Sequence, residues 1–311
     1  MQLNKKNKSV TIGLIQTKVS DNIVLNVEKT IGLIKKSAKA GAQIICLQEL
    51  FQTPYFPQKQ GEKKSKYAEL VPGETTEAMR KLAKELGVVI IVPIFEQTKD
   101  GHYFNTAVVF DQKGKMLGKY HKIHIPHDPG FYEKEYFEHG DLGYKIFKTK
   151  FGTFSVLICY DQWFPEAARM ARLAGAEIIF YPTAIGNIVG YKEQGDWHDA
   201  WETSMRGHAI ANSLYVAAIN RVGIEDKVRF FGQSFVSDPF GKVLNRASKD
   251  KEEVLVQKLD LSKNKFFEEG WGFLRNRRPD TYQNMTSDKF VKRSKKLPNV
   301  AHYKDEKRAL S

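Results

Sequence analysis

The sequence has few cysteines and no long apolar run. Its 311 residues include two cysteines, Cys46 and Cys159, and both lie in apolar segments of strand length. This cysteine usage provides no disulfide framework and is typical of a reducing compartment, so we expect a cytoplasmic protein. No apolar run is long enough for a membrane span, and the first residues lack the apolar core of a secretory signal. We therefore expect no membrane partner.

Net charge is the other unusual feature of the composition. The formal net charge is +13, but residues 288–311 alone carry eight Lys or Arg against three Asp or Glu. No RNP-like, zinc-knuckle or helix-turn-helix pattern accompanies this charge, so we expect no nucleic-acid partner. A hydrophobic fraction of 41% supports a substantial core. We interpret residues 283–311 as a basic C-terminal extension of this core.

Strand-like and helix-like segments alternate along the chain. The first helix is predicted to begin after an N-cap at Asp21 and to end at Gly41. A second helix is predicted over about residues 74–86, before Gly87. Both βαβ crossovers and hairpins are present, which predicts a single α/β domain with mixed sheets.

Cys159 lies at a predicted corner between a strand and a helix. Residues 154–158 form a β-rich apolar run, and Pro165 is typical of the first position of a helix. A thiol at such a corner is expected to be exposed and close to free backbone N–H groups, which favour the thiolate. The alternative is a small buried hydrophobe, as most free cysteines are. We interpret Cys46 as such a core residue.

The spacing of three histidines suggests a metal site, but the segment that carries them argues against one. His121, His124 and His127 are spaced by three residues, and Pro126 prevents a helix over this segment. On an extended segment this spacing divides the side chains between two faces. No further ligands are evident, so we expect histidines that support other groups or lie in a loop, and no metal.

Two charged residues are ordinary when each is considered alone. Glu49 follows the apolar strand at residues 44–48, at the strand end where α/β folds bind ligands. Surface carboxylates after strands are common. Lys122 has polar neighbours, which is usual for a solvated lysine.

Together with Cys159, these residues carry a resemblance. In chain order, Glu49-Leu-Phe, Lys122-Ile-His-Ile-Pro and Cys159-Tyr-Asp-Gln-Trp-Phe-Pro-Glu resemble the motifs of the nitrilase superfamily. The resemblance extends over about residues 8–282 through further segments, which begin at Gly130, Gly140, Tyr181, Arg206 and Trp271. It implies a carbon-nitrogen hydrolase domain folded as a four-layer α-β-β-α sandwich with mixed sheets, and no cofactor.

The resemblance also implies roles for individual residues. Cys159 would be the nucleophile and Glu49 the general base and acid. Lys122 would stabilise the oxyanion together with the backbone N–H of Tyr160. Glu133 matches the second glutamate of the superfamily, which orients the lysine and the substrate. Members commonly form homo-oligomers, for which residues 206–212 and 271–279 are the expected contact segments.

The residues after Cys159 bear on the substrate. Relatives that hydrolyse N-carbamoyl amino acids carry an arginine there to bind the substrate carboxylate, but this chain has Asp161-Gln-Trp163-Phe. We therefore expect an N-carbamoyl amine, and the branch that the chain most resembles acts on N-carbamoylputrescine. Asp161, Trp163 and Tyr55 are predicted to contact its ammonium group by charge and cation–π interaction. Trp163 is equally compatible with packing at the corner.

A departure from that branch leaves the ammonium partner open. The branch often has an acidic residue soon after Gly186, where this chain has Asn187. Glu193 or Asp196 is the predicted replacement. The alternatives are a β-ureidopropionase-like enzyme, an ω-amidase, or a catalytically silent scaffold with a nitrilase fold. A papain-like protease is disfavoured because no Cys-His-Asn arrangement with its flanking signature occurs.

Overall fold

The computed structural model describes residues 9–191 and 195–286. The strands are β1 (Ser9–Gln16), β2 (Ile44–Leu47), β3 (Val89–Gln97), β4 (Tyr103–Phe110), β5 (Met116–His121), β6 (Phe147–Thr149), β7 (Gly152–Val156), β8 (Ile178–Pro182), β9 (Gly186–Ile188), β10 (Tyr215–Ile219), β11 (Val222–Glu225), β12 (Val228–Phe231), β13 (Phe235–Ser237), β14 (Val243–Arg246) and β15 (Glu253–Asp260). The helices are α1 (Ile23–Lys39), α2 (Glu74–Leu86), α3 (Pro165–Leu173), α4 (Trp197–Asn212) and α5 (Ser262–Trp271).

The strands form two six-stranded sheets and a smaller third sheet. The first sheet has the order β15-β1-β2-β3-β4-β5 and the second the order β14-β13-β10-β8-β7-β6, while β11, β12 and β9 form the third. In the first sheet β1, β2 and β3 are parallel, whereas β15, β4 and β5 join as antiparallel neighbours. The predicted α/β class with mixed sheets is therefore confirmed.

Side-chain alternation in the strands produces four layers. In β2, Ile44 and Cys46 belong to the core between the two large sheets, while Ile45 and Leu47 pack with α1 and α2. Helices α3 and α4 supply alanines and Met205 that pack with the second sheet. This arrangement is the predicted α-β-β-α sandwich, and it confirms Cys46 as a core residue.

Helix signals in the sequence give most boundaries correctly. Helix α2 begins and ends where it was predicted, α3 begins at Pro165 as predicted, and Gly41 takes the left-handed φ of +93° that ends α1. The N-cap prediction for α1 is wrong by one residue. Asn22, and not Asp21, accepts the N–H of Leu25 at 3.1 Å, because adjacent Asp and Asn have nearly equal capping strength.

The chain divides into two compact units, residues 1–271 and 272–311. Among the described residues, the strands of all three sheets lie in the first unit. The described part of the second consists of two 3₁₀ turns, Pro279–Thr281 and Gln283–Thr286. Nearly all of the predicted basic extension at 283–311 lies outside the described residues. Among those described, no helix combines the length and apolar character that crossing a membrane requires.

Candidate active site

The three residues that carry the resemblance all follow the C-terminal ends of strands. Glu49 comes two residues after β2, and Lys122 directly follows β5. These two strands run in the same direction, so their C-terminal ends lie at one edge of the first sheet. Cys159 follows β7 of the second sheet and begins the 3₁₀ turn Cys159–Trp163. Strand C-terminal ends are where α/β folds bind ligands.

Lys122 is shared by two buried carboxylates. Its Nζ donates to Glu49 Oε1 at 2.9 Å and to Glu133 Oε2 at 2.6 Å, and all three side chains are fully buried. Burial by itself lowers the pKa of Lys122, but the negative charges of Glu133 and Glu49 outweigh it and raise the pKa above its usual range. Lys122 is therefore an ammonium ion, suited to stabilising negative charge and unsuited to acting as a base.

Glu133 is a carboxylate whose protonation responds to pH. Burial raises its pKa to about 7, and the charge of Lys122 only partly opposes this effect. The hydroxyl of Tyr55 donates to Glu133 Oε1 at 2.6 Å. Tyr55 is itself fully buried, so its position is that of a residue that orients Glu133.

Glu49 has one engaged and one free carboxylate oxygen. Its Oε1 accepts from Lys122 and also from Asn105 Nδ2 at 2.7 Å. Its Oε2 is buried, and within residues 9–191 and 195–286 it has no hydrogen-bond partner. The sequence interpretation missed Asn105. The polar pair Asn105-Thr106 inside the otherwise apolar strand β4 was the available signal.

A buried arginine fixes the segment that carries Glu49. Arg221 donates to the backbone carbonyls of Glu49 and Leu50 at 2.8 and 3.0 Å, and pairs with Glu225 at 2.7 Å. Leu50 has a left-handed φ of +49°, a conformation that needs support from its surroundings. Arg221 follows β10 without any local motif, so nothing in the sequence marked it.

Cys159 differs from its predicted setting in two ways. Its side chain is buried, with 6% of the residue exposed, so the prediction of an exposed thiol is wrong. Burial raises its pKa well above the usual range, the charge of Glu49 adds to this, and Lys122 only partly opposes it. The prediction of a favoured thiolate is therefore also wrong for the unliganded protein, and the thiol needs a base. Its left-handed φ of +44° is that of a tight elbow.

Asp161 holds this elbow together. Its carboxylate is fully buried and accepts from the Tyr120 hydroxyl at 2.7 Å and the N–H of Ile158 at 2.9 Å. It also accepts from His124, through the backbone N–H at 3.0 Å and Nδ1 at 2.7 Å. These bonds give Asp161 a structural role in place of the substrate contact predicted for it.

The other predicted substrate residues occupy varied positions. Trp163 is partly buried and packs against the large core cluster. Asp196 caps α4 by accepting the N–H of Asp199 at 2.9 Å, and Glu193 lies outside the described residues. Tyr160 is half-buried, and its backbone N–H is in the first turn of the 3₁₀ helix, where N–H groups lack partners within the helix.

The three histidines have separate environments. His121 bonds to Asp141 at 2.6 Å and to Glu96 at 3.1 Å, His124 bonds to Asp161, and the ring of His127 contacts Tyr132. In the part of the chain that the structure describes, no group of three or more His, Cys, Asp or Glu side chains could hold a metal ion.

A second buried carboxylate lies behind the first. Glu96 accepts from Lys119 through Oε1, and from Thr106 at 2.8 Å and His121 at 3.1 Å through Oε2. Burial opposes its ionisation, but these hydrogen bonds lower its pKa below the usual range. Thr106 is the residue after Asn105, and His121 is the residue before Lys122. Because adjacent residues of a strand point to opposite faces, Thr106 and His121 lie on the face opposite to Asn105 and Lys122.

Comparison with known proteins identifies the family of the chain. The profile of the carbon-nitrogen hydrolase family matches residues 11–266. The chain is 44% identical to an N-carbamoylputrescine amidase from Solanum lycopersicum, over 90% of this chain and 95% of that protein. It is 35% identical to a citrullinase from Francisella tularensis subsp. tularensis (strain SCHU S4 / Schu 4), over 89% and 98% of the two chains.

A solved structure has the same fold. The carbon-nitrogen hydrolase from Helicobacter pylori G27 superimposes with a TM-score of 0.86 at 39% identity, over 89% of this chain and 98% of that chain. The sheet order and these matches confirm the family and the fold that the motifs predicted. The chain belongs to the carbon-nitrogen hydrolase family, within the nitrilase superfamily.

Proposed function

We propose that the protein hydrolyses N-carbamoylputrescine to putrescine, carbon dioxide and ammonia, with Cys159, Glu49 and Lys122 as the catalytic residues. The observation that carries the chemistry is the free Oε2 of Glu49, in a buried carboxylate whose other oxygen is held by Lys122 and Asn105. The substrate is supported by the relative from Solanum lycopersicum, at 44% identity over nearly the whole chain.

The first half of the reaction uses the thiol and both charged groups. Oε2 of Glu49 takes the proton of Cys159, and the sulfur adds to the ureido carbon. The ammonium of Lys122 and the backbone N–H of Tyr160 stabilise the oxyanion that forms. Protonated Glu49 then gives its proton to the leaving nitrogen, and the carbon–nitrogen bond breaks.

The second half regenerates the enzyme. Glu49, again a carboxylate, takes a proton from water, the resulting hydroxide adds to the carbamoyl-thioester carbon, and the carbon–sulfur bond breaks as the proton returns to sulfur. The carbamic acid that is released then splits into carbon dioxide and the second amine product, which breaks the remaining carbon–nitrogen bond. Glu133 keeps Lys122 in place and charged during both halves, since it bonds to Nζ at 2.6 Å. Its other oxygen is fixed by Tyr55.

One observation favours a second candidate, an N-carbamoyl acid. A cleft of about 370 Å³ beside the third sheet is lined by Asn187, Tyr191 and Arg229, among others. The guanidinium of Arg229 could bind a substrate carboxylate there, as in a β-ureidopropionase-like enzyme. An ω-amidase activity is the other alternative within the family.

A substrate panel separates these functions. Steady-state kinetics are measured on N-carbamoylputrescine, N-carbamoyl-β-alanine and an ω-amide, and we expect the highest kcat/KM for N-carbamoylputrescine. A higher kcat/KM for the acid would replace the proposal with the second candidate. Cys159→Ala is the control for the chemistry, because loss of the nucleophile removes about 10⁴-fold or more of kcat. Equal turnover by this variant and the native chain would indicate a scaffold.

The cellular setting follows from the substrate. Putrescine formation belongs to polyamine synthesis, and a cytoplasmic homo-oligomer is expected. Sedimentation velocity on the full chain tests the oligomer, and a monomer at micromolar concentration would contradict it.

A further inference from the structure

A tight turn between β5 and Glu133 borders the site. The N–H of Phe131 donates to the carbonyl of Asp128 at 2.7 Å. Gly130 has a φ of +81°, and a Cβ added there would be 3.3 Å from Ile188, so the turn lies against β9. The ring of Phe131 is 5.8 Å from that of Tyr55. Since Tyr55 bonds to Glu133, the turn is two side chains from the catalytic lysine.

Asp128 is the acidic residue of this turn. Its side chain is exposed, and among residues 9–191 and 195–286 no hydrogen bond or ion pair engages its carboxylate. Burial raises the pKa of Tyr160, and the negative charge of Asp128 raises it further, ahead of every other charged group. The charge of Asp128 therefore acts on the phenol of Tyr160, the residue that follows Cys159, in agreement with the position of its turn beside Tyr55 and β9.

Tyr160 extends from the place where the proposed substrate would react toward Asp128. Its backbone N–H belongs to the elbow where the ureido carbon would react, while its phenol is on the side of Asp128. A tyrosine side chain is about as long as the four-carbon chain of N-carbamoylputrescine. A substrate lying along Tyr160 would bring its terminal ammonium to Asp128.

Other carboxylates around the site already have partners. Asp161 is saturated by Tyr120, Ile158 and His124. Asp196 caps α4, and Glu225 pairs with Arg221 and accepts the N–H of Tyr55 at 2.7 Å. Each would lose an existing bond by binding a substrate, whereas Asp128 would lose only water.

We propose that Asp128 is the residue that binds the terminal ammonium of the substrate, and so determines specificity for an N-carbamoyl amine. The inference rests on the proposed function, and it replaces the sequence candidates Asp161 and Asp196, whose carboxylates already have partners. Asp128 acts on recognition alone, through a charge-assisted hydrogen bond with the ammonium.

The test uses two ureas that differ by one ammonium group. N-carbamoylputrescine and N-butylurea have the same four-carbon chain, and the second lacks the terminal charge. We measure the ratio of their kcat/KM values in the native full chain, Asp128→Asn, Asp128→Glu and Asp111→Asn. Asp111 is the matched control, because it lies in the turn between β4 and β5 at the opposite edge of the first sheet.

The expected result is a fall in the ratio by about tenfold or more in Asp128→Asn, carried by KM for N-carbamoylputrescine. Asp128→Glu should restore most of the ratio, and Asp111→Asn should keep the native value. A variant that merely weakens the fold would lower both substrates equally and keep the ratio.

Two failures are distinguishable. An unchanged ratio in Asp128→Asn, with the native chain still preferring N-carbamoylputrescine, overturns the role of Asp128 and leaves the proposed function standing. A native chain that shows no preference for the charged urea, or prefers N-carbamoyl-4-aminobutyrate, overturns the proposed function itself.

Discussion

Two buried glutamates, Glu49 and Glu96, lie on opposite faces of the same pair of strands. Glu49 bonds to Asn105 and Lys122, and Glu96 bonds to the adjacent residues Thr106 and His121. Both carboxylates thus receive one donor from β4 and one from the C-terminal end of β5 or the residue after it, and both are shielded from solvent. Their surroundings are alike in chemistry, but it is the charge of Glu49 that raises the pKa of the candidate nucleophile Cys159.

The difference is in how many oxygens are used. Glu96 has partners on both oxygens, including Lys119, whereas Oε2 of Glu49 has none in the described chain. A buried acceptor without a partner costs stability, since its desolvation is not compensated. The fully bonded carboxylate of Glu96 therefore stabilises the fold, whereas the unbonded oxygen of Glu49 is available to accept a proton.

The largest expected effect is on catalysis. Glu49→Gln keeps the size of the side chain but removes the base, so kcat on the best substrate should fall by about 10²- to 10⁴-fold. Glu96→Gln on the opposite face should retain kcat within about tenfold. Steady-state kinetics on both variants measure the contrast. A larger loss of kcat in Glu96→Gln would reverse the assignment of the two faces.

A smaller effect is expected on stability, and here Glu96→Gln should cost more than Glu49→Gln. Glu96→Gln weakens three charge-assisted bonds and leaves Lys119 without its partner, so it should lower the free energy of unfolding by about 1 to 3 kcal/mol. Glu49→Gln should cost less, because one of its oxygens makes no bond. Denaturant unfolding of the two variants compares these costs. Equal losses would mean that the free oxygen of Glu49 does not distinguish the sites.

The smallest effect is in the pH dependence of stability. The contributions of Glu133 and Glu96 to the free energy of unfolding should change in opposite directions as pH rises. The pKa of Glu133 is raised from 4.5 to about 7, so the folded state binds more protons and loses stability as pH rises through this window. The pKa of Glu96 is lowered below 4.5, so its contribution is present above 4.5 and is lost in acid.

Thermal unfolding of Glu133→Gln and Glu96→Gln from pH 4 to 8 follows these contributions. Relative to the native chain, Glu133→Gln should gain stability as pH rises through the window. Glu96→Gln should lose stability from acid up to about pH 5 and then stay constant. Parallel curves for the two variants would show that burial affects both carboxyl groups alike.

The fold was readable from the sequence because its signals are local. Apolar runs of strand length, glycine stops such as Gly41 and Gly87, and Pro165 at the start of α3 report on their own neighbours. The trio that we propose as catalytic could be predicted because its three motifs occur in the family's order along the chain. The cap of α1 at Asn22 and not Asp21 marks the limit of this approach, since two adjacent residues had nearly equal propensity.

The remainder of the site depends on contacts that no local pattern records. Arg221 is 172 residues from the Glu49 carbonyl that it binds, and Asp161 joins an elbow to a loop 37 residues away. The acidity of Cys159 was misjudged for the same reason, because burial by distant segments outweighs the nearby N–H groups. The position of Asp161 just after Cys159 predicted a substrate contact, and only the fold revealed that its carboxylate is already bonded to Tyr120, Ile158 and His124.

The left-handed backbone of Cys159 has a consequence for the evolution and engineering of the enzyme. A non-glycine residue at a φ of +44° carries about 1 kcal/mol or more of strain. Glycine would relieve it, so the stability of the fold by itself favours the loss of the thiol. Selection for thermal stability alone would therefore tend to remove the proposed nucleophile, and stabilising this enzyme requires activity to be selected at the same time.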